Sequence, residues 1–125
     1  MSEISDAIQA KCLAFSDRII KLNDYLLEQA AEKYENAKRQ RQRRNVHLPS
    51  SIKHQPSLVP VYLQAVSNLC NQLLRAGTSI GANNAEATSA VSKADFKSKS
   101  YIALKEARES LYWLELLHRN NYLTD

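Results

Sequence analysis

Five cations fall within seven residues at Lys38, Arg39, Arg41, Arg43 and Arg44, separated only by Gln40 and Gln42. Such a run can neutralise consecutive phosphates and release counterions from a nucleic-acid backbone, and the two glutamines can donate further hydrogen bonds to phosphate oxygens. The plainer alternative is a solvated helix end whose cations offset the negative end of the helix dipole. Five charges exceed what that compensation requires. The charge is also local: residues 1–37 carry four Lys or Arg against seven Asp or Glu, residues 38–54 six against none, and residues 55–125 seven against six. One segment therefore supplies the net charge of +4.

A second basic set lies at Lys97, Tyr101, Lys105, Arg108 and Tyr112, where i, i+4, i+8, i+11 and i+15 share one helical stripe. Cations interleaved with stacking rings suit single-stranded RNA, whose unpaired bases lie on aromatic faces while Lys and Arg hold phosphates. An ordinary polar face with tyrosine bodies folded into a helix seam would show the same pattern. Arg75, Asn83 and Glu86 form a third group. These read as a structural polar network, with Glu86 pairing to a cation on a neighbouring helix such as Lys105 or Arg108, in preference to acid–base work.

His47, His54 and His118 share no helical face and have no Cys or carboxylate at metal-ligand spacing, so no metal or cofactor is expected. Arg41 precedes His47 by six positions, which resembles the Arg and His pair of the nucleotide-binding helical ribonucleases of prokaryotes and higher eukaryotes. His47 falls beside Pro49 in a segment unsuited to a packed helix, and the expectation is that the protein is not an enzyme. Cys12 and Cys70 are too few for a disulfide framework, which fits a reducing compartment. The N-terminus has no signal-like apolar stretch and no segment is long and apolar enough to span a bilayer, so a cytoplasmic location is expected.

These groups must be positioned by helices. With two Gly and three Pro among 125 residues, the chain lacks the turn formers of a many-stranded sheet or a phosphate-cradling loop. Apolar residues at Ile8, Cys12, Phe15, Ile19, Leu22 and Leu26 are spaced 4, 3, 4, 3, 4, as are Tyr62, Val66, Leu69, Leu73, Ala76 and Ile80. A third set comprises Phe96, Ala103, Ala107, Leu111, Leu114 and Leu117. Ser2 or Ser5 can cap the first helix, Ser92 with Asp95 the third, and Asn120-Asn121 can end it. Gly77 and Gly81 interrupt the second seam in composition but not in period, which predicts a close helix contact there, with Ala82 and Ala85 in the same small-residue patch. Trp113 is expected in the core or a subunit interface. The expected fold is a single all-α domain over residues 1–125: an antiparallel bundle of three long helices near 3–42, 60–89 and 93–120, with a basic, Pro-containing insertion at about 38–60.

The stretch Gln72-Leu73-Leu74-Arg75-Ala76-Gly77-Thr78-Ser79-Ile80-Gly81-Ala82-Asn83, then Glu86-Ala87, strongly resembles the bacterial four-helix-bundle proteins encoded by intervening sequences of large-subunit ribosomal RNA genes. The resemblance resumes at Ser92, Asp95-Phe96, Lys99 and Ile102-Ala103-Leu104-Lys105-Glu106-Ala107-Arg108-Glu109, and ends in Tyr112-Trp113-Leu114-Glu115-Leu116-Leu117. The first helix matches only in pattern, at Phe15, Arg18, Ile19 and Leu22. The resemblance implies a non-enzymatic helical protein assembled as a homopentamer, similar in fold to the accessory variability determinant of diversity-generating retroelements, which contacts nucleic acid and a reverse transcriptase. Tyr122-Leu123-Thr124-Asp125 resembles the run-in to the family's fourth helix, so either the domain has three helices or a partner supplies the fourth.

The function expected is therefore a nucleic-acid-associated scaffold, binding RNA more readily than DNA through Lys38–Arg44, with Lys97, Lys105 and Arg108 as secondary contacts. A retroelement accessory protein with a reverse transcriptase partner, a purely structural oligomer, and a ribonuclease using Arg41 and His47 are the alternatives. No membrane partner is expected.

Overall fold

The computed structural model describes residues 2–45 and 59–124, the side chains of 45 and 59–62 excepted. Three helices account for the described elements, in the order α1 (Glu3–Asn45), α2 (Val59–Thr88) and α3 (Lys93–Arg119). The insertion expected at 38–60 is therefore helical in its first part, and α1 continues through the whole basic run. No Gly or Pro precedes Pro49, Lys, Arg and Gln are good helix formers, and Arg43 and Arg44 meet the negative end of the dipole in the last turn. His47 and His54 lie outside the described residues, so the Arg41–His47 spacing has no described geometry.

Local chemistry sets the helix ends. Ser2 Oγ accepts from Ser5 N–H at 3.3 Å at the start of α1. Pro60 sits in the first turn of α2, where its missing N–H costs no helical bond. At α3, extended Ser92 caps by accepting from Asp95 N–H at 3.1 Å, while Asp95 Oδ2 accepts from Val91 N–H at 3.2 Å. The far end of α3 closes on Asn121, whose φ of 60° is left-handed. Its N–H donates to His118 O at 3.0 Å and that of Tyr122 to Leu117 O at 2.9 Å, the paired bonds of a Schellman motif.

Helix α2 is central. It packs against α1 on one side and α3 on the other, while α1 and α3 have no Cα atoms within 8 Å of each other among the described residues. Residue numbers fall along α1 as they rise along α2: Ile19 meets Gly77, Cys12 meets Gly81, and Gln9 bonds to Gly81 and Asn84. The core cluster joins Ile19, Leu26 and Ala30 of α1, Val66, Cys70 and Leu73 of α2, and Leu117 of α3. Phe15, Leu22, Leu69, Trp113, Leu114, Tyr122 and Leu123 pack around it.

Three of the described seam residues are exposed. Ile8, Phe96 and Leu111 are 46%, 51% and 66% exposed, because they lie on the flanks of α1 and α3 that face each other across a gap. The small-residue patch is also narrower than expected: Gly77 and Gly81 are buried, but Ala82 and Ala85 are exposed, since α1 touches only one edge of α2.

Candidate nucleic-acid interface

Lys38, Arg39, Arg43 and Arg44 are exposed and Arg41 is half-buried. At about 100° of rotation per residue these five project around the whole helix circumference. Tyr34 of α1 lines the same shallow pocket as Leu63 of α2. Continuing that register, Val59 stands level with about residue 38, so the basic run extends past the start of α2 by roughly 9 Å at about 1.5 Å per residue. Lys38 to Arg44 thus form a positive collar at one end of the described helices, with no carboxylate between Glu35 and the end of α1.

On α3, Lys97, Tyr101, Lys105, Arg108 and Tyr112 are all exposed, with Tyr101 at 63% and Tyr112 at 58%. The tyrosine rings are outside the seam and free to present a face. Tyr112 meets the half-buried Trp113 edge-on, with ring centroids 5.0 Å apart, and Trp113 Nε1–H donates to Glu109 Oε1 at 3.1 Å. The stripe extends over about 22 Å.

The two basic sets are not brought together. Ala107, next to Arg108, lines a groove with Lys11 of α1, and Lys11 is 27 positions before Lys38. Arg108 and Lys38 are therefore separated by about 40 Å along the bundle.

Arg75, Asn83 and Glu86 share a face of α2 without forming a network. Arg75 is exposed about 16 Å along the helix from Glu86, and Asn83 Nδ2–H donates back to Ser79 O at 2.9 Å. Glu86 instead pairs with Lys99 of α3, and this contact holds the Lys99 ammonium above the usual lysine range. Lys105 and Arg108 are about 9 and 13.5 Å farther along α3 because the short turn at 89–92 sets Lys99 level with Glu86.

Two polar groups escaped the sequence reading. Asn84 Nδ2–H donates to Gln9 Oε1 at 2.6 Å, and Gln9 Nε2–H donates to Gly81 O at 3.4 Å, tying α1 to α2. Ser110 is 1% exposed and its Oγ–H donates to Glu106 O at 2.8 Å. The signal for Ser110 was present in its spacing, since Ala103, Ser110 and Leu117 recur every seven residues on the buried face.

The sequence pattern of the 23S rRNA-intervening sequence protein family matches residues 62–125. The chain belongs to the 23S rRNA-intervening sequence protein family. That match takes in α2 from Tyr62 and all of α3, leaving α1 and its basic collar to one side. A solved structure similar to this chain is a protein of unknown function from the S23 ribosomal protein family of Bacteroides thetaiotaomicron, at 35% identity and a TM-score of 0.66. The alignment covers 96% of this chain and 77% of that one, so the likeness includes α1. No curated protein matches the chain. Within the intervening-sequence family, the Gly77 and Gly81 contacts and the Ser92 cap thus lie inside the matched region, whereas Lys38 to Arg44 do not.

No helix among the described residues is long and apolar enough to cross a membrane. Nor do the described residues contain a group of three or more His, Cys, Asp or Glu able to hold a metal ion.

Proposed function

We propose that this protein is a non-enzymatic RNA-binding scaffold whose principal phosphate contact is the collar Lys38, Arg39, Arg41, Arg43 and Arg44. The observation that carries the reading is the placement of those cations around the end of α1, past the start of α2, where a strand can approach from several sides. Phosphate contacts of this kind give affinity without base specificity. Lys97, Lys105 and Arg108, with Tyr101 and Tyr112 beside them, form a second contact for unpaired bases. Because the sites are about 40 Å apart, they act on separate stretches of RNA or on separate molecules.

The test replaces all five collar cations by Gln, which takes the net charge from +4 to −1 and touches no core residue. Each phosphate contact on a single strand contributes about 0.7 to the slope of log affinity against log salt, so the expected change is a slope shallower by roughly 3.5. Unchanged affinity with an unchanged slope overturns the collar as the binding site. The parallel variant with Lys97, Lys105 and Arg108 replaced by Gln should lower the slope by about 2.

A further inference from the structure

The segment after α3 turns back toward α1. Left-handed Asn121 reverses the chain, Tyr122 N–H donates to Leu117 O at 2.9 Å, and Tyr122 and Leu123 pack against the core. A pocket of about 240 Å³ forms where this turn faces α1. Tyr25, Gln29 and Lys33 line it from α1, and Asn121, Tyr122 and Leu123 line it from the turn. It is smaller than the roughly 300–1,000 Å³ of sites for drug-sized ligands, so it suits a single ring system.

The lining has the chemistry of base recognition. Each wall supplies a tyrosine, the 54% exposed Tyr25 and the half-buried Tyr122, and an aromatic face stacks on any base. Each wall also supplies an amide, Gln29 and Asn121, that both donates and accepts, as the edge of a base does. The charged group lining the pocket is Lys33.

The pocket is also continuous with the collar. Tyr25, Gln29, Lys33, Asn36, Gln40 and Arg43 are spaced 4, 4, 3, 4, 3 and lie within an arc of about 80° on one side of α1. Lys33 to Arg43 spans about 15 Å, a few nucleotides of one strand. Glu32 lies beyond the Tyr25 edge of this arc and does not line the pocket, so its charge turns phosphates toward Lys33.

We propose that the pocket between α1 and the turn at 121–124 takes one unpaired base of an RNA strand whose phosphates run from Lys33 to the collar. Tyr25 and Tyr122 stack on the ring, Gln29 and Asn121 hydrogen-bond its edge, and Lys33 meets its phosphate. A paired base, held in its duplex, cannot enter, so the site selects single strands. This base site rests on the reading of the collar as an RNA contact and adds to it the group that recognises a base.

The experiment measures binding of the full chain to a short uridylate RNA and to an RNA duplex over a range of salt. Tyr25→Ala, at an exposed position, should keep the helical circular dichroism and weaken uridylate binding at least roughly fivefold. Its salt slope should match wild type, because no phosphate contact is lost. Tyr25→Phe keeps the ring and should stay within about twofold of wild type. Duplex binding should be the same in all three proteins. Photo-crosslinking of the uridylate carrying 5-iodouridine should label Tyr25 or Tyr122. Uridine monophosphate, too short to reach the collar, should bind at least roughly tenfold more weakly than the strand, and equal affinities would overturn the strand as the occupant. Wild-type uridylate affinity in Tyr25→Ala, or crosslinks confined to Tyr101 and Tyr112, overturns the base site. The collar reading survives those results if replacing its five cations by Gln still makes the salt slope shallower, whereas a wild type that binds neither RNA overturns both.

Discussion

Gly77 lies against Ile19 so closely that a Cβ built on it would stand 2.9 Å from both Cγ atoms of that side chain. Ile19 is β-branched, 3% exposed and part of the core, so it has little freedom to rotate aside. Gly in mid-helix costs about 1 kcal/mol in propensity relative to Ala, but here it permits the approach of α1. Gly77→Ala should therefore destabilise the protein by about 1–3 kcal/mol despite the better helix former. At Gly81 the nearest atom is Cys12 Cβ at 3.3 Å, so Ala there should be close to neutral and Leu destabilising by a similar amount. Urea denaturation of the three variants checks the order, and a more stable Gly77→Ala would contradict this packing.

The three-helix layout makes an unequal prediction for two leucines on α3. Leu117 is 0% exposed within the core cluster, whereas Leu111 is 66% exposed on the groove wall. Leu117→Ala should cost about 2–5 kcal/mol through lost burial and the cavity left behind. Leu111→Ala should cost less than about 1 kcal/mol in dilute protein, where the groove is open. Comparable losses at both positions would mean that the groove is closed in the monomer.

The two thiols should differ in reactivity. Burial pushes both Cys12 and Cys70 above the ordinary thiol range, which leaves little thiolate at neutral pH. Cys70 is 1% exposed in the core, while Cys12 is half-buried on the groove wall. Iodoacetamide should modify Cys12 of the dilute native protein well before Cys70, as followed by mass spectrometry. The folded state holds these protons more tightly than the unfolded chain, whose thiols ionise near about pH 8.5. The resulting stability is present below that pH and declines as pH rises through the folded values.

The sequence by itself determined the helices, because their signals are local. The 4, 3 spacing of apolar residues, the Ser92 cap with Asp95 and the left-handed Asn121 all act within one or two turns, and the observed bounds fall within a few residues of those expected. The residue stretches quoted between Gln72 and Leu117 likewise carried the family resemblance. What the tertiary structure decided is which face meets which neighbour. Period alone assigns Ile8, Phe96 and Leu111 to an apolar side, but their exposure follows from the separation of α1 from α3 across α2. Glu86 finds Lys99, not Lys105 or Arg108, because the length of the 89–92 turn sets the register of α3. The roughly 40 Å between the α1 collar and the α3 stripe has the same origin, since each 1.5 Å of rise is local but the offset between helices is fixed by their packing.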